Sequence, residues 1–144
     1  MLIDNRKKYY LAGPMSGIPK FNIPAFEEAA NRLRDMGLII VSPAELDSKE
    51  VYDAAIVSET GDKQEVVHIE SWGDMLARDV KIIADELEGI ILLPGWDASQ
   101  GARLECFVSM TCNHPLYVYS EGTLKHMRYA RAMDLIGMGM LGRT

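Results

Sequence analysis

Two kinds of apolar pattern alternate along the chain. Compact apolar runs at 8–13 (Lys-Tyr-Tyr-Leu-Ala-Gly), 38–41 (Leu-Ile-Ile-Val), 89–93 (Gly-Ile-Ile-Leu-Leu) and 116–119 (Leu-Tyr-Val-Tyr) read as buried strands. Between them, apolar residues recur at helical spacing. Phe26, Ala29, Ala30, Leu33 and Met36 mark a helix that starts near Asn22, with Pro24, Glu27 and Glu28 in its opening turns and Gly37 as its stop. Met75, Leu76, Val80, Ile83 and Leu87 mark a second over 72–87. A third is predicted over 99–112 and a last from about 122 to 135. Strands alternating with helices predict an α/β fold, a single doubly wound Rossmann/flavodoxin-like domain with a parallel sheet of about five strands.

Between the periodic segments the chain is punctuated by turn formers. Gly13-Pro14 stops the first strand and opens the loop Pro14-Met-Ser-Gly-Ile-Pro-Lys-Phe-Asn22, and Ser42-Pro43 ends the second strand. Residues 44–70 have no clear period; 47–58 can be helical, 59–63 reads as a turn, and the region is expected to be a lid or insertion over a site. The glycine-broken apolar tail, with Met138, Met140 and Leu141, packs on a partner subunit or frays. At 144 residues, 48% hydrophobic and 25% charged, the chain has the size and make-up of one domain, 1–144.

Charge and cysteines narrow the class. A net charge of −6 argues against a nucleic-acid polymer or an anionic membrane as main partner, but not against a small anionic substrate. Cys106 and Cys112 lie on different faces of one predicted helix, so no disulfide and a reducing compartment are expected. With no signal-like or membrane-length apolar run, a cytoplasmic location is expected.

The stretch Pro94-Gly-Trp-Asp-Ala-Ser-Gln-Gly-Ala-Arg-Leu-Glu105 carries the most chemistry. It leaves a buried strand, turns, and opens a helix at the sheet edge where open α/β folds collect ligands. Ser99 is a natural N-cap, and a capped helix start also binds anions. Glu105 stands in an otherwise apolar segment and is expected to face the crevice. Asp79 either pairs with Arg78 or Lys81 or serves the site. Tyr10 and Tyr9 point to opposite faces of the first strand. Trp72 and Trp96 either pack or stack on a base. Arg128 and Arg131 read as a solvated helical face, with Arg128 able to serve a neighbouring subunit. His68, His114 and His126 show no metal spacing, and Gly13-Pro-Met-Ser-Gly17 is not a dinucleotide motif, so neither metal nor cofactor is expected.

Three motifs occur in order: Tyr10-Leu-Ala-Gly-Pro-Met-Ser-Gly17; Asp79 within Ala-Arg-Asp-Val80; and Asp97-Ala-Ser-Gln-Gly-Ala-Arg-Leu-Glu105, with Ser-x-Gly-x-x-x-Glu spacing. Together they resemble the nucleoside 2-deoxyribosyltransferase superfamily, which includes the 2′-deoxynucleoside 5′-monophosphate N-glycosidases. The resemblance runs from residue 9 to about 119, leaving out 44–70 and the tail. It implies that Glu105 is a nucleophile attacking the anomeric carbon of the sugar, that Asp79 lies near the base and the leaving group, and that Tyr10 touches the sugar or the nucleophile. It further implies that Asp97, Ser99 and Gly101 hold the 5′ end of the substrate, and that Gly13, Pro14, Met15, Ser16 and Gly17 face the same pocket. The nucleotide-cleaving branch often has an arginine in that loop; here the nearest basic residue is Lys20. A homo-oligomer, at least a dimer, is also implied.

The expected activity is cleavage of the N-glycosidic bond of (deoxy)nucleosides or their 5′-monophosphates, passing the sugar to water or to another base. It makes chemical sense apart from the resemblance. Such cleavage passes through an oxocarbenium-like state, which a carboxylate can stabilise or trap while a second acid protonates the departing base. The alternative is a non-catalytic nucleotide-binding or sensing module of the same fold.

Overall fold

Strands covered on both faces have no polar side to display, and the apolar runs at 9–12 and 89–92 fold accordingly, whereas the edge run at 38–41 leaves Ile39 exposed. The computed structural model describes residues 3–142. In it β1 (Lys8–Ala12), β2 (Ile39–Val41), β3 (Gly89–Leu92) and β4 (Leu116–Ser120) are parallel neighbours. A fifth strand, β5 (Thr123–Met127), completes the order β2-β1-β3-β4-β5, a Rossmann/flavodoxin-like arrangement. Helix α1 (Ile23–Asp35) carries the chain from β1 to β2. Helices α2 (Pro43–Leu46), α3 (Lys49–Ile56) and α4 (Trp72–Glu86) connect β2 to β3. Helix α5 (Gln100–Thr111) joins β3 to β4, and α6 (Tyr129–Leu141) follows β5.

The period-two alternation of the strands sorts the core into two layers. Tyr10, Ile90, Leu92 and Leu116 meet Ile83 of α4, Ala102 and Cys106 of α5, and Ala132 and Ile136 of α6. Tyr9, Leu11, Ile91 and Tyr117 point the other way, onto Phe26, Ala29, Ala30 and Leu33 of α1. Each large apolar side chain fully buried in these layers contributes about 1.5–3 kcal/mol. Gly89 pairs in register with Tyr9, and a Cβ there would strike the Tyr9 ring.

A third apolar cluster lies beside the sheet. Phe21 and Ile23 meet Ala44, Val51, Ala55 and Val66 in it, so residues 44–70 are anchored by packing of their own. The loop after β1 is stitched to this region by backbone hydrogen bonds, Gly17 N–H to the Gly61 carbonyl and Lys20 N–H to that of Ser58, both 2.8 Å. Lys20, Phe21 and Asn22 all hold positive φ (58°, 51° and 60°), a conformation costing about 1–2 kcal/mol per L-residue. The buried Phe21 ring and a 2.9 Å hydrogen bond from Asn22 Nδ2 to the Pro14 carbonyl offset that cost.

Several expectations are corrected. Asn22 does precede α1, but its left-handed backbone is not that of a capping residue; its side chain makes no cap and instead donates through Nδ2 to the Pro14 carbonyl. Met36 is 51% exposed rather than part of the buried stripe. Residues 123–127 are a strand, not the start of the last helix. Glu121 and Gly122 take φ of 49° and 79°, the two positive values of a tight hairpin turn, and β5 returns antiparallel to β4. The sheet is therefore parallel in four strands and antiparallel at its last. The expected tail is helical: α6 passes through Gly137 and Gly139 to Leu141. Glycine is required at 139 by close approach, since a Cβ would collide with the Asp97 carbonyl. Among the described residues no helix is long and apolar enough to cross a membrane.

Candidate active site

The strand order reverses between β1 and β3. The chain leaves β1 to build β2 on one side and returns to build β3 on the other, so the loops at the C-terminal ends of β1 and β3 part and a crevice opens there. A cavity of about 690 Å³ occupies it, the size of a small-molecule site. The loop Gly13–Gly17 forms one wall. Trp72, Met75, Leu76 and Asp79, at i, i+3, i+4 and i+7 of α4, place a single helical stripe along another. Ser99, Gly101 and Glu105 enter from the start of α5, and Asp47, Val51 and Lys63 from the region between β2 and α4.

At the site Glu105 is only 6% exposed, and its Oε2 accepts a 2.7 Å hydrogen bond from the Tyr10 hydroxyl. Burial pushes the Glu105 carboxyl well above the usual carboxylate range, and the neighbouring Asp79 charge adds to the rise; the Tyr10 bond opposes it. The Tyr10 phenol is raised in turn, first by burial and then by the Glu105 charge, so it stays neutral and donates. Asp79 is buried as well. Burial raises its carboxyl against the pull of Arg78, whose Nε and Nη2 lie 2.9 and 2.8 Å from Asp79 Oδ1. Arg78 also donates through Nη1 to Asp47 Oδ1 at 2.9 Å, tying the region after β2 to α4. Desolvation raises Asp47 too, with Arg78 pulling the other way. Two buried carboxyl groups thus share one floor in different company, Asp79 beside a guanidinium and Glu105 beside a neutral phenol. Two carboxyl groups in unlike surroundings can take different protonation roles.

Most of the residues expected at the site meet there. Gly13, Pro14, Met15, Ser16, Gly17, Asp79, Ser99, Gly101 and Glu105 line the cavity, with Tyr10 behind Glu105. Ser99 caps α5, its hydroxyl oxygen accepting from Ala102 N–H at 3.3 Å. Asp97 does not line the cavity. It sits in a short 3-10 turn, its carbonyl accepts from Arg103 Nη1 at 3.0 Å, and the residue borders a second, shallow cavity toward α6. Trp96 is 5% exposed and belongs to the core, whereas Trp72 lines the site. Arg128 and Arg131 are exposed. Asp47 and Lys63 were not expected here, and no local motif marks them; Arg78 was considered only as a surface partner of Asp79. Both cysteines are free.

No curated protein and no solved structure matches the chain. A family model matches residues 7–118, from β1 to the middle of β4, a span that includes Tyr10, Asp79 and Glu105. The chain belongs to the family described as a domain of unknown function, DUF4406.

Proposed function

We propose that the protein cleaves the N-glycosidic bond of deoxynucleosides or their 5′-monophosphates through a covalent glycosyl–Glu105 ester, passing the sugar to water or to a second base. The observation that carries this is the Tyr10–Glu105 hydrogen bond of 2.7 Å, with Asp79 beside it, on the floor of a small-molecule cavity at the sheet's reversal point. The reaction starts from protonated Glu105, the form that burial and the Asp79 charge both favour. As substrate binds, that proton passes to Asp79, which delivers it to the base nitrogen as the C1′–N bond breaks. The freed Glu105 carboxylate forms the ester bond to C1′, steadied by the Tyr10 hydroxyl. Asp79, now ionised, deprotonates the incoming water or acceptor base that displaces Glu105 from C1′. We place this activity in the cytosol, where the buried Cys106 thiol stays reduced.

The test is a panel of nucleosides and 5′-monophosphates incubated with the protein, with and without a second free base, and read by mass spectrometry. Release or exchange of base that disappears in Glu105→Gln is the expected result. Binding without any bond cleavage would instead make the protein a nucleotide-binding module.

A further inference from the structure

Two cations line the cavity, and they differ in what holds them. Arg78 is clamped between Asp47 and Asp79. Lys63 lies near no carboxylate that forms an ion pair with it among the described residues, and its Nζ rests over the Trp72 ring, 4.2 Å from the centroid. Its backbone is fixed: Lys63 opens a 3-10 turn in which Asp62 Oδ1 accepts from Gln64 N–H at 2.9 Å, between the sterically locked Gly61 and the buried Val66. The side chain is a four-carbon stem resting on an aromatic face, a contact weak enough for a stronger anionic partner to replace.

The position of this pair matters. Trp72 stands seven residues above Asp79 on α4, about 10 Å along the axis, and Ser99 stands six above Glu105 on the α5 side, about 9 Å. Helix α4 enters β3 and α5 leaves it, so both helices begin at the same edge of the sheet. Lys63 and the opening amides of α5 therefore border the cavity mouth, while Asp47, Asp79 and Glu105 lie deeper. At the mouth the Lys63 ammonium and the opening amides of α5 attract an anion, and Asp62, beside Lys63, also lines the cavity. Lys20, the nearest basic residue to the loop after β1, is exposed and does not line the cavity.

We propose that Lys63, released from the Trp72 face, is the specificity-determining residue that binds an anionic group of the substrate. In the function proposed above, on which this rests, that group is a 5′-phosphate monoester. The probes are the four 2′-deoxynucleosides and their 5′-monophosphates, titrated by calorimetry and indole emission into the Glu105→Gln protein, so that binding is read without turnover. We expect a monophosphate to bind about ten- to a hundredfold more tightly than its nucleoside. Adding Lys63→Met should bring that ratio close to one, and Lys63→Arg should keep most of it. Lifting Lys63 off the ring should change the emission of Trp72 on monophosphate binding, a change absent in Trp72→Phe.

An unchanged ratio in Lys63→Met, equal weakening of both ligand types, or no preference for the monophosphate would each overturn the assignment. The two proposals fail separately. Tight, Lys63-dependent monophosphate binding by a wild-type protein that never releases base would remove only the catalytic proposal. Base release with a ratio indifferent to Lys63 would remove only this one.

Discussion

Replacing Glu105 by glutamine tests the electrostatic premise of the site without any substrate. The substitution keeps the side chain's size and an acceptor oxygen for the Tyr10 hydroxyl, and deletes one titrating group. In the unfolded chain that group ionises near pH 4.3. In the native protein burial and Asp79 hold its pKa well above that. Below about pH 4.3 both states carry the proton and the folded state has its full stability. Above it, the unfolded chain gives up a proton that the native state keeps, so wild-type stability falls as pH rises toward the native pKa. One proton corresponds to about 1.4 kcal/mol per pH unit at most. Glu105→Gln lacks this loss. Its stability relative to the wild type should be lowest near pH 4 and rise with pH until the native pKa of Glu105 is passed. Asp79 is raised as well and shares the proton, so Asp79→Asn should shorten the interval over which the gap grows. Urea unfolding of the three proteins in half-unit steps from pH 4 to 8 supplies the curves. A flat gap, or a wild type that gains on the variant above pH 4.3, would show that Glu105 is ionised in the folded state and refute the proposed proton path.

Tyr10→Phe leaves Glu105 Oε2 buried without its donor, at a cost of about 1–3 kcal/mol, and removes the one bond from Tyr10 that favours the Glu105 carboxylate. Its thermal midpoint should drop and the alkaline limb of kcat/KM on a nucleoside, where Glu105 loses its proton, should move to higher pH; an unmoved limb would detach Tyr10 from Glu105. Gly61→Ala meets both a φ of 71° and the Ile18 carbonyl, so a loss above about 2 kcal/mol is expected in urea unfolding, with faster proteolysis near 58–65. Gly73→Ala, in α4 with open space around it, should be neutral or stabilising by up to about 1 kcal/mol; equal losses in the two variants would contradict the stitching of the two loops. Leu104 and Phe107 of α5 and Tyr129 and Met133 of α6 leave large apolar surfaces exposed, as do Met138 and Met140. We expect at least a dimer by light scattering at micromolar concentration, and a shift to monomer in the double variant Phe107→Glu/Met133→Glu. A monomeric wild type would refute it.

Elements with a strong period, namely α1, α4, α5 and strands β1 to β4, were legible because their burial is nearly uniform or one-sided, and burial is what a hydrophobic pattern records. Strand β5 was not. Thr123, Lys125 and His126 are exposed, and a polar edge strand resembles a polar helix turn over five residues; the Glu121-Gly122 pair was the available signal. The candidate site was legible where cavity-lining residues are close in chain order, as in the Ser99-to-Glu105 helix start and the loop after β1. It was illegible where distant segments meet. Nothing near Asp47 or Lys63 indicates that Arg78 or Trp72 will lie beside it, because those contacts are set by the packing of Val51, Ala55 and Val66 against Phe21 and Ile23. Asp97 was misplaced for a related reason: a turn former beside a site-facing serine need not turn toward the same cavity.

The two margins of the sheet have a bearing on solution behaviour. An unpaired margin offers a ladder of open amides and carbonyls to another chain, and long apolar margins template fibrils. Here one margin is β2, with three residues, and the other is β5, which ends a hairpin and presents Lys125 and His126 to solvent. Growth by strand addition is disfavoured at both ends, the first because the ladder is too short to register and the second because a charged side chain would have to be ordered along it. The sheet thus discourages strand-by-strand growth, and copy-to-copy contact is left to the exposed apolar faces of its helices.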